Sequence, residues 1–198
     1  MTKAEIQNLV RQKAREYGLD EQIALAQISQ ESKFNPKAVS GAGAQGVAQF
    51  MPGTAKRFGL VNPFDPEQAL EAWAQYMTFL LNMFGWDRYD LALAGYNWGE
   101  NRAVLINAAK TGAPFPATKV PAETRNYVTL ILANAKNWSA YADDSSGSAD
   151  STDDSAASDS SASDSTGAAI NNPPPKSDNS GTIGILILAV LVGLAISR

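Results

Sequence analysis

Apolar positions recur at helical spacing from the first residues of the chain. Thr2 followed three residues later by Glu5 forms a capping box, and Ile6, Leu9, Val10, Ala14 and Tyr17 then line one face until Gly18 stops the run. A second helix is predicted from about Asp20, with Ile23, Ala24, Gln27 and Ile28 leading to Glu31 and Pro36 ending it. The glycines between 41 and 46 read as a loop, followed by a short helix from about Gln45 to Met51 and a further turn from Pro52 to Phe58. Asp65 as N-cap, Pro66 at the first helical position and Gln68 open a longer helix. Its Leu70, Trp73, Ala74, Met77, Leu81 and Phe84 share a face and are assigned to the core. Further helices are expected over 88–96, 101–110 and 121–141. No run alternates with period two, so the fold class is all-α.

Composition divides the 198 residues into three parts. Residues 1–142 carry fourteen Lys and Arg against twelve Asp and Glu, whereas 143–180 hold eight Asp and one Lys, so the net charge of −4 belongs to the tail. A near-neutral first part without a basic cluster gives no electrostatic support for a nucleic-acid partner. Residues 143–181, rich in Ser, Asp and Ala with Pro173–Pro175, read as a disordered acidic linker, because so few apolar groups cannot offset the entropy of ordering. Residues 182–197 are uncharged and rich in Ile, Leu and Val and read as a C-terminal transmembrane helix. At ~1.5 Å per residue it is about 24 Å long, against a bilayer core of roughly 30 Å; a helix docking into the domain is the alternative. Arg198 beyond it favours a cytoplasmic tail end, and the first eighteen residues lack the apolar core of a secretory signal.

The chain has no His and no Cys. Ser-His-Asp and Cys-His catalysis and Cys/His zinc sites are thereby excluded, and no metal or cofactor is expected. What remains is carboxylate chemistry. A carboxyl at a helix C-terminus is opposed by the macrodipole by about 0.3–1 kcal/mol, which raises its pKa and suits an acid; from residue type alone, however, Glu31 reads as a surface residue at a helix end.

Four ordered blocks add to this reading: Glu31-Ser32-x-Phe34-Asn35-Pro36, Gly43-Ala44-x-Gly46-Val47-Ala48-Gln49-Phe50-Met51-Pro52, Gly95-Tyr96-Asn97, and Pro121-x-Glu123-Thr124-Arg125-x-Tyr127-Val128. Together they resemble the catalytic domain of soluble lytic transglycosylases, relatives of goose-type lysozyme, from about Ala4 to Trp138. The resemblance implies a lysozyme-like helical fold that cleaves the β-1,4 bond between N-acetylmuramic acid and N-acetylglucosamine of peptidoglycan, leaving a 1,6-anhydro end. It makes Glu31 the acid that protonates the glycosidic oxygen and then the base that takes the C6 hydroxyl proton. The muramoyl acetamido group assists in place of a second carboxylate.

Ser40, Gln49, Tyr96, Asn97, Glu123 and Tyr127 match substrate-binding or acid-supporting positions. Their alternatives are a turn serine, a helix glutamine, a core tyrosine, a helix anchor and, for Glu123, a charge favourable near a helix N-terminus. Ser32 is assigned to supporting the helix end. The chain departs from the family pattern at Ala48, where Met is common, at Gly95, where Ala is usual, and at Trp98, which offers a stacking face or fills space. The competing functions are a hydrolytic goose-type lysozyme and a membrane-anchored peptidoglycan-binding protein without activity. The architecture implies a domain tethered to a lipid bilayer and facing the cell wall. That setting matches phage virions with an internal membrane, with a bacterial tail-anchored wall enzyme as the alternative.

Overall fold

The structure is a computed structural model and describes residues 1–138. The linker and transmembrane segment assigned to 143–181 and 182–197 lie outside the described residues. Among the described residues seven helices run in order: α1 (Lys3–Glu16), α2 (Glu21–Ser32), α3 (Pro52–Arg57), α4 (Pro66–Phe84), α5 (Tyr89–Trp98), α6 (Ala103–Thr111) and α7 (Ala122–Trp138). Among the described residues no helix is long and apolar enough to cross a membrane.

Local chemistry sets the helix starts. Thr2 N–H donates to Glu5 Oε2 at 2.7 Å and Glu5 N–H to Thr2 Oγ1 at 3.3 Å, so the capping box forms in full. Asp20 Oδ1 accepts from the N–H groups of Gln22 and Ile23, and Asp65 Oδ1 from those of Glu67 and Gln68, with Pro66 preset for the first turn.

Packing closes the helices into a ring. α1 lies against α2 and α4, α4 against α5, α5 against α7, and α7 against α2, with α6 outside on α4 and α5. The core fills the ring, and its largest fully buried side chain is Trp73. α2 is buried over five consecutive residues, Ala24–Ile28, because neighbours cover it on several sides. Within this apolar stretch stands Gln27, fully buried.

The short helix expected over 45–51 is absent. In its place the chain makes two isolated antiparallel bridges, Val39 with Gln45 and Gln45 with Phe50. Gly43, Gly46 and Gln49 take φ of 89°, 76° and 52°, and residues in that region interrupt a right-handed helix. Gly46 is held there by a neighbour from elsewhere: a Cβ at this position would sit 1.7 Å from the carbonyl oxygen of Pro63.

Candidate active site

Glu31 is the penultimate residue of α2, and the chain turns sharply after it. Lys33 and Phe34 both adopt left-handed backbone, φ 55° and 66°, uncommon for residues with side chains. Phe34 is buried, with its ring edge-on to Trp138 at 5.9 Å between centroids. Ser32 Oγ donates to Val47 O at 2.7 Å, which fastens the end of α2 to the 41–50 loop, as its assignment to supporting the helix end requires. Among the described residues, the three non-glycine residues with positive φ, Lys33, Phe34 and Gln49, thus all lie in the two segments that this bond joins.

Two tyrosines from other helices close on the acid. Tyr127 of α7 donates its hydroxyl hydrogen to Glu31 Oε1 at 2.5 Å. Tyr96 of α5 donates to Ala48 O at 2.7 Å and lies near enough to Glu31 for that charge to push its own ionisation up, after the larger effect of burial. As a residue Glu31 is half-buried. Burial pushes its pKa up to about 7, against an opposing pull from the Tyr127 hydroxyl, which favours the charged form. No second carboxylate is among the groups that move it. No basic residue stands in the last turn of α2 to counter the helix dipole.

Behind Tyr127 lies a chain of buried polar groups that sequence reading did not assign. Gln27 Nε2 donates to the Tyr127 hydroxyl oxygen at 3.2 Å, and Trp73 Nε1 donates to Gln27 Oε1 at 3.1 Å. Behind Tyr96 lies a second cluster. The ring of Tyr76 is 5.0 Å from that of Tyr96, and the Tyr76 hydroxyl donates to Glu100 at 2.8 Å. Glu100 also pairs with Arg57, whose guanidinium covers Phe58, Tyr76 and Phe79. Burial alone would push the Glu100 carboxyl up. Hydrogen bonds from its own backbone, Arg57 and Tyr76 outweigh this and hold it below its ordinary value.

The remaining candidates are placed as follows. Gln49 Nε2 donates to Ala38 O and Gly46 O at 3.2 and 2.9 Å, so its amide braces the loop and leaves Oε1 as the free end. Ser40 Oγ accepts from Ala44 N–H at 2.9 Å. Asn97 is buried, and its Oδ1 has no hydrogen-bond partner among the described residues. Glu123 is exposed in the first turn of α7. The structure therefore brings Tyr96 and Tyr127 to Glu31, sets Ser40 and Gln49 in the loop fastened to it, and leaves Glu123 on the surface.

The departures have local reasons. A Cβ on Gly95 would stand 2.8 Å from Phe84 Cε2 and 3.1 Å from Leu80 Cδ2, so the absence of a side chain lets α5 approach α4. Ala48 is fully buried and contributes its carbonyl to Tyr96. Trp98 has one face taken by the guanidinium of Arg102, 4.6 Å from the ring centre.

A groove of about 500 Å³ between α1, α2 and α7, lined by residues including Gln7, Arg11, Gln30 and Asn134, contains none of the Glu31 cluster. Among the described residues no group of three or more His, Cys, Asp or Glu could hold a metal ion.

The profile of the family described as Transglycosylase SLT domain matches residues 8–113, more than half of the chain. The chain belongs to this family. The SLT domain is similar to the transglycosylase of Enterobacteria phage PRD1, 36% identical over 88 residues that cover 44% of this chain and 32% of the relative. It is also similar to the membrane-bound lytic murein transglycosylase C of Yersinia pestis, 32% identical over 165 residues, covering 67% of this chain and 46% of the relative. The chain thus spans about a third to a half of the length of these curated relatives.

Among solved structures, the SLT domain resembles the 70 kDa soluble lytic transglycosylase of Escherichia coli, with TM-score 0.56 and 27% identity over 68% of this chain and 24% of that one. It also resembles an inactive mutant of the lytic transglycosylase Slt of Pseudomonas aeruginosa, with TM-score 0.52 and 27% identity over 69% of this chain and 24% of that one.

Proposed function

We propose that this SLT domain is a peptidoglycan lytic transglycosylase that cleaves the N-acetylmuramic acid–β-1,4–N-acetylglucosamine bond without water. The observation that carries the reading is Glu31, a carboxyl held protonated near neutrality by burial and acted on by a tyrosine hydroxyl but by no second carboxylate. Such a group can give its proton to the glycosidic oxygen as the bond to the anomeric carbon breaks. The resulting carboxylate can then take the proton of the muramoyl C6 hydroxyl as that oxygen closes onto the anomeric carbon, which returns Glu31 to its starting state.

Tyr127 would hold the acid in place. Tyr96, whose own hydrogen goes to Ala48, can offer only lone pairs to an incoming group. Ser40, Gln49 and Asn97 would line the sugar site, Gln49 through Oε1, with Glu123 at its outer edge. The setting we infer is local opening of the cell wall by a membrane-anchored, virion-associated domain. Support comes from the similarity to a phage transglycosylase and to a membrane-bound murein transglycosylase, and from the apolar segment 182–197.

The deciding experiment is digestion of purified peptidoglycan followed by mass analysis of the muropeptides. Anhydro ends, lighter by one water than reducing ends, are expected. Hydrated ends would instead make this a hydrolytic, goose-type lysozyme. Glu31→Gln should abolish release of fragments; unchanged release would overturn the catalytic reading.

A further inference from the structure

Three helices meet in a single line of hydrogen bonds: Trp73 Nε1–H to Gln27 Oε1 at 3.1 Å, Gln27 Nε2–H to the Tyr127 oxygen at 3.2 Å, and Tyr127 O–H to Glu31 Oε1 at 2.5 Å. Trp73 and Gln27 are almost or wholly inaccessible, 1% and 0% exposed, so water cannot substitute for either. The two groups do not touch the reacting atoms. Their chemistry nevertheless fixes the direction of the whole line.

An indole N–H is a donor and never an acceptor. Whatever faces Trp73 Nε1 must therefore be the carbonyl oxygen of the Gln27 amide, which turns the NH2 end toward Tyr127. A Tyr127 oxygen that accepts from Gln27 has one hydrogen of its own left, and that hydrogen goes to Glu31. The carboxyl then has Oε1 engaged as an acceptor, so in the neutral acid the transferable hydrogen sits on Oε2.

We propose that Trp73 and Gln27 are positioning residues that hold Tyr127 as an obligatory donor to Glu31, and thereby fix the carboxyl oxygen from which the proton is delivered. The inference rests on the reading of Glu31 as the acid. Gln27 and Glu31 are four residues apart on α2 and so share a face. Tyr127 from α7 and Tyr96 from α5 are the titratable groups that interact with the carboxyl from the packed helices.

The orientation argument predicts an order of effects. In Trp73→Phe the amide of Gln27 is free to turn its oxygen to Tyr127 and draw the hydroxyl hydrogen away from Glu31. In Gln27→Leu no acceptor competes, and Tyr127 loses only the polarisation that a neighbouring donor supplies, roughly 10–30% of one bond. The double variant Trp73→Phe/Gln27→Leu should then behave as Gln27→Leu, because the competing amide is gone.

The readout is the titration midpoint of Glu31, followed by carbon NMR of the labelled carboxyl in the full chain and by the alkaline limb of the lytic pH profile. Losing the Tyr127 donor disfavours the carboxylate, so the midpoint should rise, most in Trp73→Phe and by only a few tenths of a pH unit, on the order of that polarisation, in Gln27→Leu. Over the same series kcat should fall by roughly three- to tenfold at unchanged KM, a part of the ~10²–10⁴-fold that a positioned acid supplies. General loosening of the core would admit water and lower the midpoint, the opposite sign.

A downward shift, no shift, or additive effects in the double variant would overturn the proposal. If Trp73→Phe does not fold, the upward shift in Gln27→Leu alone decides, together with its disappearance in a Tyr127→Phe background. Retained lysis by Glu31→Gln would refute the acid reading, whereas the NMR midpoint of Glu31 reports on the hydrogen-bond line in either case.

Discussion

Replacing Glu31 by Gln removes the proposed acid and should also make the protein more stable, but only at neutral and alkaline pH. Burial raises the carboxyl from its ordinary 4.5 to about 7, so the folded state holds the proton more tightly than the unfolded chain. For such a raised carboxyl the sign runs against the usual acidic residue. Below pH 4.5 the group is neutral in both states and costs nothing. Between 4.5 and 7 the unfolded chain loses the proton first, and stability declines with rising pH; above 7 the loss is complete. At roughly 1.4 kcal/mol per pKa unit, the full loss is about 3 kcal/mol.

Gln is nearly isosteric, uncharged at every pH, and keeps an oxygen for the Tyr127 hydroxyl. The variant should therefore match the parent near pH 4 and exceed it by about 3 kcal/mol at pH 8, a rise in Tm of roughly 10 °C for a domain of this size. Thermal unfolding followed by circular dichroism from pH 4 to 8.5, parent beside variant, measures both ends. A Tm difference that does not change with pH, or a variant less stable at pH 8, would refute the burial argument even if activity is lost as expected.

Tyr127→Phe removes the one hydrogen bond that favours the charged form of Glu31, so the alkaline limb of the pH–activity profile should move upward by about one unit or more, a bond to a charged group being worth ~1.5–3 kcal/mol, while kcat falls. Gly46→Ala places a methyl group on the Pro63 carbonyl at a backbone angle that disfavours it, and the combined cost of about 3 kcal/mol or more should lower Tm by roughly 10 °C in a thermal scan. Arg57→Ala leaves Glu100 buried without its cation. Because Arg57 is itself about one-third exposed, the expected loss is about 1–3 kcal/mol by denaturant titration. The sign with pH is the reverse of that for Glu31. The lowered pKa of Glu100 gives stability that is present above its unfolded value and lost as pH falls, so the penalty in Arg57→Ala should shrink in acid.

Features that depend on neighbouring residues could be read from the sequence. The Thr2–Glu5 capping box, the Asp20 cap and the Asp65-Pro66 start all form as the spacing predicts, because each is closed by residues within one turn. The loop over 41–50 could not be read in this way. Its glycines announced a turn, but its path is set by Pro63 and by the side chains of Ser32 and Gln49. Glu31 stands out through the order of four blocks, whereas the sequence assigns Trp73 to the core and Gln27 to one more position on the α2 face. Both readings are correct as to burial. The indole N–H and the amide acquire a further role only where α2, α4 and α7 meet, and no local pattern encodes that meeting. A glutamine among the apolar positions of α2, four residues before an acid, is the one trace of it in the sequence. Glu100 carries no local signal for a related reason, since its partners Arg57 and Tyr76 arrive from other helices.

The same dependence on distant partners explains why the site carries so much unfavourable structure. Lys33, Phe34 and Gln49 hold left-handed backbone, each at a cost on the order of 1–3 kcal/mol, and Glu31 is desolvated besides. These terms persist because the surrounding bonds determine the geometry more than once. Ser32 ties α2 to the loop, Gln49 spends both amide hydrogens on that loop, and Phe34 is seated against Trp138. If this bracket were softer, the end of α2 could turn its carboxyl toward water and recover the desolvation energy. The pKa would then fall toward 4.5, and at pH 7 nearly every molecule would hold a carboxylate unable to donate. The strain and the proton on Glu31 are therefore two consequences of one constraint, and a substitution that relieves the first, such as Gln49→Gly, should lower the second.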